Sequence, residues 1–251
     1  MTEQTNNLFI HLHMPKTAGT TLNSIIKKNY KSNEIIDLYE SFKDHQEVVE
    51  KLQSLQLSGV KCINCHLSYG IHCHVTQPAK YVTMLREPIE RVASEYYFIR
   101  NTPHHNLHDK VMKMDLLEFQ QEPTNMNKQS KIVLGIPLSE DVSKADFRMG
   151  KQNIKADFAF IGITELFNES IVIMKKQFDW PDIQYGKKNI TTNRPQVTDL
   201  PEHVIEELKQ YNKVDYALYK YAIKLLKVRL MLLDSESKIL LQAMNMNNGI
   251  S

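Results

Sequence analysis

The chain has 251 residues, 42% of them hydrophobic and 24% charged, the composition of an ordinary globular protein long enough to bury a large core. With 31 Lys and Arg against 29 Asp and Glu, its net charge of +2 excludes a broadly basic nucleic-acid or membrane-surface binder, so any basic site must be local. No run approaches the ~20 apolar residues of a membrane span, and three Cys are too few and too odd for a disulfide framework.

The opening MTEQTNNLFIHLHM carries no basic leader, so the expected location is the cytoplasm. Within it LFIHLH (8–13) reads as a buried strand, and Leu22, Ile25 and Ile26 then share a helix face. Between them lies MPKTAGTT, residues 14–21. A strand that runs through a short loop into a helix leaves backbone N–H groups unpaired at the positive end of the helix dipole, which makes an anion site. Gly19 permits close backbone approach, Thr17, Thr20 and Thr21 offer hydroxyls, and Lys16 adds a mobile charge. The loop lacks the G-x-x-x-x-G-K-[ST] spacing of an ATP-binding P-loop, and an ordinary strand–helix turn is its plain alternative.

A helix is expected over about 43–57, then strands over 60–66 and 80–86, ending at His66 and Arg86. Cys62 and Cys65 in CINCH have a zinc-like spacing, but on a strand an odd separation points them to opposite faces, so buried packing is the expectation and no metal is assigned. The stretch 87–101 reads as a helix with Pro88 at its start and Ser94 inside it. Residues 102–130 are polar and rich in His and Met and break the alternation; His104 and His105 lie here, in a surface loop or an acceptor pocket. A strand over 157–163, a helix from Thr164, a loop over 185–201 and helices from Pro201 follow, with a last short helix that frays at its end. This alternation predicts an α/β protein, a three-layer α/β/α arrangement around a mainly parallel sheet, with a helical C-terminal part. Nothing marks a linker, so one domain over 1–251 is expected.

PKTAGTTL followed 70 residues later by LREPIERVASEYYF resembles the 3′-phosphoadenosine 5′-phosphosulfate (PAPS)-dependent sulfotransferases, and within them the carbohydrate group that includes heparan sulfate 2-O-sulfotransferase. FIGITELF (160–167) and the Lys/Thr-rich loop 187–194 have counterparts in similar order, so the likeness spans about residues 8–220. It implies a P-loop-like fold with a nucleotide-binding core over 8–100, an acceptor-side region over 101–150 and a helical C-terminal region over 201–251. Pro15, Lys16, Thr17, Ala18, Gly19, Thr20 and Thr21 would wrap the 5′-phosphosulfate, with Lys16 near the bridging oxygen. Arg86 and Ser94 would hold the 3′-phosphate, and Lys187, Lys188, Thr191, Thr192 and Arg194 would close over the nucleotide.

His66 matches the base of the 2-O-sulfotransferase group, where a strand-end His precedes the 3′-phosphate motif; His13 is the runner-up or a substrate contact. Asn127 and Gln129 match an Asn-x-Gln pattern on the acceptor side. The implied reaction moves a sulfuryl group to a hydroxyl of a glycan or small metabolite and leaves adenosine 3′,5′-bisphosphate. Less charge moves than in phosphoryl transfer, so a Lys and backbone amides serve without Mg²⁺. A kinase-like phosphoryl transferase and a non-catalytic nucleotide-binding module are the competing readings.

Overall fold

A computed structural model of the chain describes residues 8–186 and 195–248. Lys187, Lys188, Thr191, Thr192 and Arg194 of the expected closing loop lie outside the described residues.

In chain order the elements are β1 (Leu8–Leu12), α1 (Gly19–Asn29), β2 (Ile35–Leu38), α2 (His45–Ser54), β3 (Cys62–Cys65), β4 (Ala79–Leu85), α3 (Pro88–Arg100), α4 (His108–Val111), α5 (Leu116–Gln121), α6 (Lys128–Leu134), α7 (Lys144–Asp157), β5 (Phe158–Ile163), α8 (Phe167–Phe178), α9 (Glu202–Tyr211), α10 (Lys213–Met231) and α11 (Ser235–Asn248). The sheet order is β2-β3-β1-β4-β5, and every pairing is parallel. β1 and β3 are buried along their whole length, as central strands covered by helices on both faces must be. Pro88 occupies the first turn of α3, where its missing N–H costs nothing.

β2, α7 and the short helices α4, α5 and α6 were not expected from the sequence. β2 is a four-residue edge strand with only Leu38 buried, too short to show a period. α7 buries only Gly150 and Ile154, so its apolar stripe is too thin to stand out. Residues 102–130 do not run as an open loop. Val111, Leu116 and Phe119 of α4 and α5 join Ile89, Val92, Tyr96 and Ile99 of α3 and Leu208 of α9 in a small core of their own. The final helix, α11, is longer than its polar end suggested.

α6 and α10 cap one another. The Asn127 Oδ1 accepts from the Val214 and Asp215 N–H groups at 2.8 and 3.2 Å, while the buried Asp215 carboxylate accepts from the Gln129 and Ser130 N–H groups at 3.2 and 2.7 Å. Each side chain thereby satisfies donors that a helix start leaves unpaired. Among the described residues no helix is long and apolar enough to cross a membrane.

Candidate active site at the carboxyl edge of the sheet

Because β1 lies between β3 and β4, the residues that follow these three strands meet at one edge. Ligands of open parallel sheets sit at such carboxyl ends. The segment joining β1 to α1 holds Lys16 at φ 66° and Ala18 at φ 63°, a left-handed conformation that is strained for residues with a Cβ. Buried Thr17 pins the turn by donating its hydroxyl to the Met14 carbonyl at 3.0 Å. That hydroxyl, expected to face an anion, is therefore engaged within the loop, while Thr20 is exposed. α1 follows Ala18 with no side-chain cap and no acidic residue in its first turn, so its N-terminus keeps the character of an anion site.

Gly19 is required for a reason the sequence did not suggest. A Cβ there would lie 2.0 Å from His13 Cδ2 and 2.4 Å from His13 Nε2; the imidazole occupies the space of the missing side chain. Lys16 Nζ sits 4.0 Å above the centre of the Phe98 ring, a cation–π contact.

Arg86 ties this loop to α3 and α6. Its N–H donates to Gln129 Oε1 and its carbonyl accepts from Gln129 Nε2, both at 2.9 Å. The guanidinium donates to the Lys16 carbonyl at 3.3 Å and to Glu90 Oε2 at 3.1 Å, and lies 4.0 Å from the Glu165 carboxylate. Glu90, Ser94 and Phe98 follow at four-residue spacing along one face of α3. Ser94 therefore lies between the residue that pairs with Arg86 and the ring beneath Lys16. Gln129 holds the Arg86 backbone and Asn127 caps α10, so both work as positioning groups in this structure.

The carboxyl ends of β1, β2 and β3 carry His13, Tyr39 and His66 in one cluster. Ring centres lie 4.7 Å apart for His13–His66 and for Tyr39–His66, and 5.6 Å apart for His13–Tyr39. His66 Nδ1 is 2.7 Å from the His13 carbonyl oxygen. A carbonyl only accepts, so Nδ1 carries the hydrogen and Nε2 of neutral His66 keeps its lone pair. Beneath this cluster His11, 0% exposed, bonds Asn64 Oδ1 at 3.0 Å. Asn64 Nδ2 in turn donates to Asp37 at 2.8 Å and to Asn23 Oδ1 at 3.0 Å. Asn23 Nδ2 donates to the Tyr39 hydroxyl at 3.3 Å, which meets His13 Nδ1 at 3.0 Å.

Burial, and then repulsion from neighbouring imidazoles, lowers His13 to about 3; burial lowers His11 to about 4, against the support of Asn64. Both are neutral at pH 7. The unfolded chain takes up these protons near pH 6.5 and the folded chain does not, so stability should fall as the pH drops below that value. Each group contributes about 1.4 kcal/mol per pH unit. Urea denaturation of wild type and of His13→Asn between pH 7 and 5 checks this: the variant should show the shallower dependence, and identical slopes would overturn the assignment for His13.

His105 packs edge-on against Phe98, with ring centres 6.0 Å apart, and its Nδ1 accepts from the Leu107 N–H; His104 is exposed. Cys62, Cys65 and Cys73 are free thiols. Among the described residues no group of three or more His, Cys, Asp or Glu is arranged to hold a metal ion.

The model of the Sulfotransferase family matches residues 1–222. The chain belongs to the Sulfotransferase family. Among curated proteins none is significantly similar to it. Among solved structures, mouse sulfotransferase SULT7A1 complexed with PAP is similar over 94% of this chain and 88% of that one, at 12% identity and a TM-score of 0.43.

In this sulfotransferase the two sequence motifs do converge, since Arg86 reaches the Lys16 carbonyl. Three contributors escaped the sequence. Tyr39 follows the short strand β2, Phe98 looked like one more aromatic on α3, and the Asn23–Asp37–Asn64 network links single polar residues on three separate elements. None of the three carries a local pattern that could have revealed it.

Proposed function

We propose that this sulfotransferase takes a sulfuryl group from PAPS and delivers it to an acceptor hydroxyl by in-line displacement, with His66 as general base. One observation carries the reading: the Nδ1–H bond to the His13 carbonyl leaves a basic nitrogen on His66 in the strand-end cluster that adjoins the anion loop. The acceptor oxygen attacks sulfur and passes its proton to His66 Nε2. A new O–S bond forms as the bond from sulfur to the 5′-phosphate oxygen breaks, and the electron pair stays on that phosphate oxygen. Lys16 faces the oxygen where charge develops, and so stabilises the transition state more than the ground state.

Residues Pro15 to Thr21 supply the loop for the 5′-phosphosulfate. Arg86 and Ser94 serve the 3′-phosphate, which would compete with Glu90 for the guanidinium. Lys188, Thr192 and Arg194 belong to the same reading as closing residues. We assign the protein to the cytoplasm, a reading that its three free thiols support. A carbohydrate hydroxyl is the acceptor that the motif resemblance supports, whereas the cavity beside His66 favours a different class.

Thermal unfolding with adenosine 3′,5′-bisphosphate and separately with ATP–Mg²⁺ tests the nucleotide site, since a ligand that binds only the folded state raises the midpoint. The bisphosphate should stabilise wild type and do so weakly in Arg86→Ala; stabilisation by ATP–Mg²⁺ alone would refute the proposal. Lys16→Ala should lower kcat by about 10²–10³-fold, the usual cost of losing one donor to a developing oxyanion. An unchanged rate with labelled donor would remove Lys16 from the bridging oxygen.

A further inference from the structure

A cavity of about 310 Å³ opens beside His66, on the β2 side of the sheet edge. Leu38, Phe42, Val48 and Leu67 form its apolar wall, and Glu40, Asp44, His45 and His66 supply its polar groups. The His66 ring stands between two environments: its Nδ1 is bound on the β1 side by the His13 carbonyl, while the cavity lies towards β2 and α2. Both carboxylates are held in place. Glu40 pairs with Lys51 at 3.0 Å, and Asp44 caps α2 by accepting the Glu47 N–H at 3.0 Å.

Resting on the reading of His66 as base, we infer that this cavity receives the acceptor, and that the acceptor is a compact hydroxyl compound with an apolar body and no negative charge. The volume accommodates one small ring system. Four apolar side chains gain from covering a hydrocarbon or aromatic face. An anionic acceptor would meet the like charges of Glu40 and Asp44, which lowers its affinity, with Lys51 offsetting part of the effect at Glu40. An anionic polysaccharide is therefore disfavoured by its charge. The cavity is built from residues 38–67; Val111, Leu116 and Phe119 of the stretch 102–125 belong to the small core around α3, and other residues between Asp109 and Pro123 line a separate cavity of about 680 Å³.

Three matched phenols test the inference: para-ethylphenol is neutral, tyramine cationic and para-hydroxyphenylacetate anionic. An oligosaccharide of uronic acids is the fourth probe. Binding is read by methyl NMR of Leu38, Val48 and Leu67, and transfer by labelled sulfate donor. The neutral and cationic phenols should shift these methyls and accept sulfate, and the carboxylate should bind about tenfold more weakly or worse. Glu40→Gln with Asp44→Asn should narrow that gap, because Asn still caps a helix.

Val48→Phe and Leu67→Phe, two independent ways of filling the cavity, should each weaken phenol binding at least tenfold with the affinity for adenosine 3′,5′-bisphosphate unchanged. Either variant suffices if the other fails to fold. Methyls unmoved by the phenols, phenol binding unaltered in the filled variants, or a preference for the carboxylate or the oligosaccharide would each overturn the inference. Phenol binding that the filled variants abolish, in a protein that binds no bisphosphate, would uphold the cavity and refute the sulfuryl-transfer reading instead.

Discussion

Substituting His66 by alanine is expected to lower kcat by about 10²–10⁴-fold, the range that a positioned general base supplies, while adenosine 3′,5′-bisphosphate still binds. The separation of the two effects follows from the geometry. The groups proposed for the nucleotide are Lys16, Arg86 and the start of α1, and His66 meets this loop through the His13 carbonyl and ring. That bond is also structural, so the alanine variant loses a loop contact together with the base. His66→Asn distinguishes the two roles, because a side-chain amide offers a donor to the carbonyl but takes up no proton near neutral pH. The asparagine variant should recover thermal stability relative to alanine and remain equally slow. Full turnover in either variant would move the base elsewhere, with His13 next in line despite its lowered pKa.

The largest loss of stability is expected from Glu95→Gln. Glu95 accepts from Arg91 Nη1 at 2.6 Å and from Lys128 Nζ at 2.7 Å. The Arg91 side chain is 0% exposed, and its Nε and Nη2 have no partner among the described residues. Burial alone would raise the Glu95 carboxyl, but the charges of Arg91 and Lys128 outweigh it and hold the group at about 2. Removing one member of such a buried pair leaves a charge without compensation and costs about 3–5 kcal/mol, a large share of the ~5–15 kcal/mol that keeps a typical protein folded. Urea denaturation at pH 7 measures it, and a loss below about 1 kcal/mol would contradict the account.

The sign with pH is fixed by the same numbers. The contribution of Glu95 is fully present above about 4.5, the ordinary value for the group, and is lost as the pH falls through about 2. Lys128 opens α6, so the same ion pair keeps Gln129 against the Arg86 backbone. In Glu95→Gln the affinity for the 3′-phosphate should weaken as well.

Strands β1, β3, β4 and β5 were readable because their apolar runs are bounded by polar residues, and α3 because Pro88 and a regular apolar face mark it. The same holds for the two anion motifs, each a contiguous string whose meaning depends on a few neighbours: a strand end, a turn and a helix start. His66 stood out since it closes an apolar strand. The Thr17 hydroxyl turns back to the Met14 carbonyl, a contact that was not legible because a residue type does not say which way a buried side chain points. Asn127 and Gln129 were placed on the acceptor side, whereas their partners prove to be the start of α10, about 87 positions onward, and the Arg86 backbone, 43 positions back.

The order and type of most elements, and the candidacy of the loop before α1 and of Arg86, are local properties, and residue order alone points to them through periodicity, turn chemistry and helix starts. Strand order is not local. Only the arrangement β2-β3-β1-β4-β5 brings Arg86 to the Lys16 carbonyl, sets Tyr39 and His66 ring to ring, and opens a cavity between α2 and the end of β3. Those contacts depend on which strands lie side by side and in what register, and that is decided by the burial of whole faces against one another and by no single stretch of the chain.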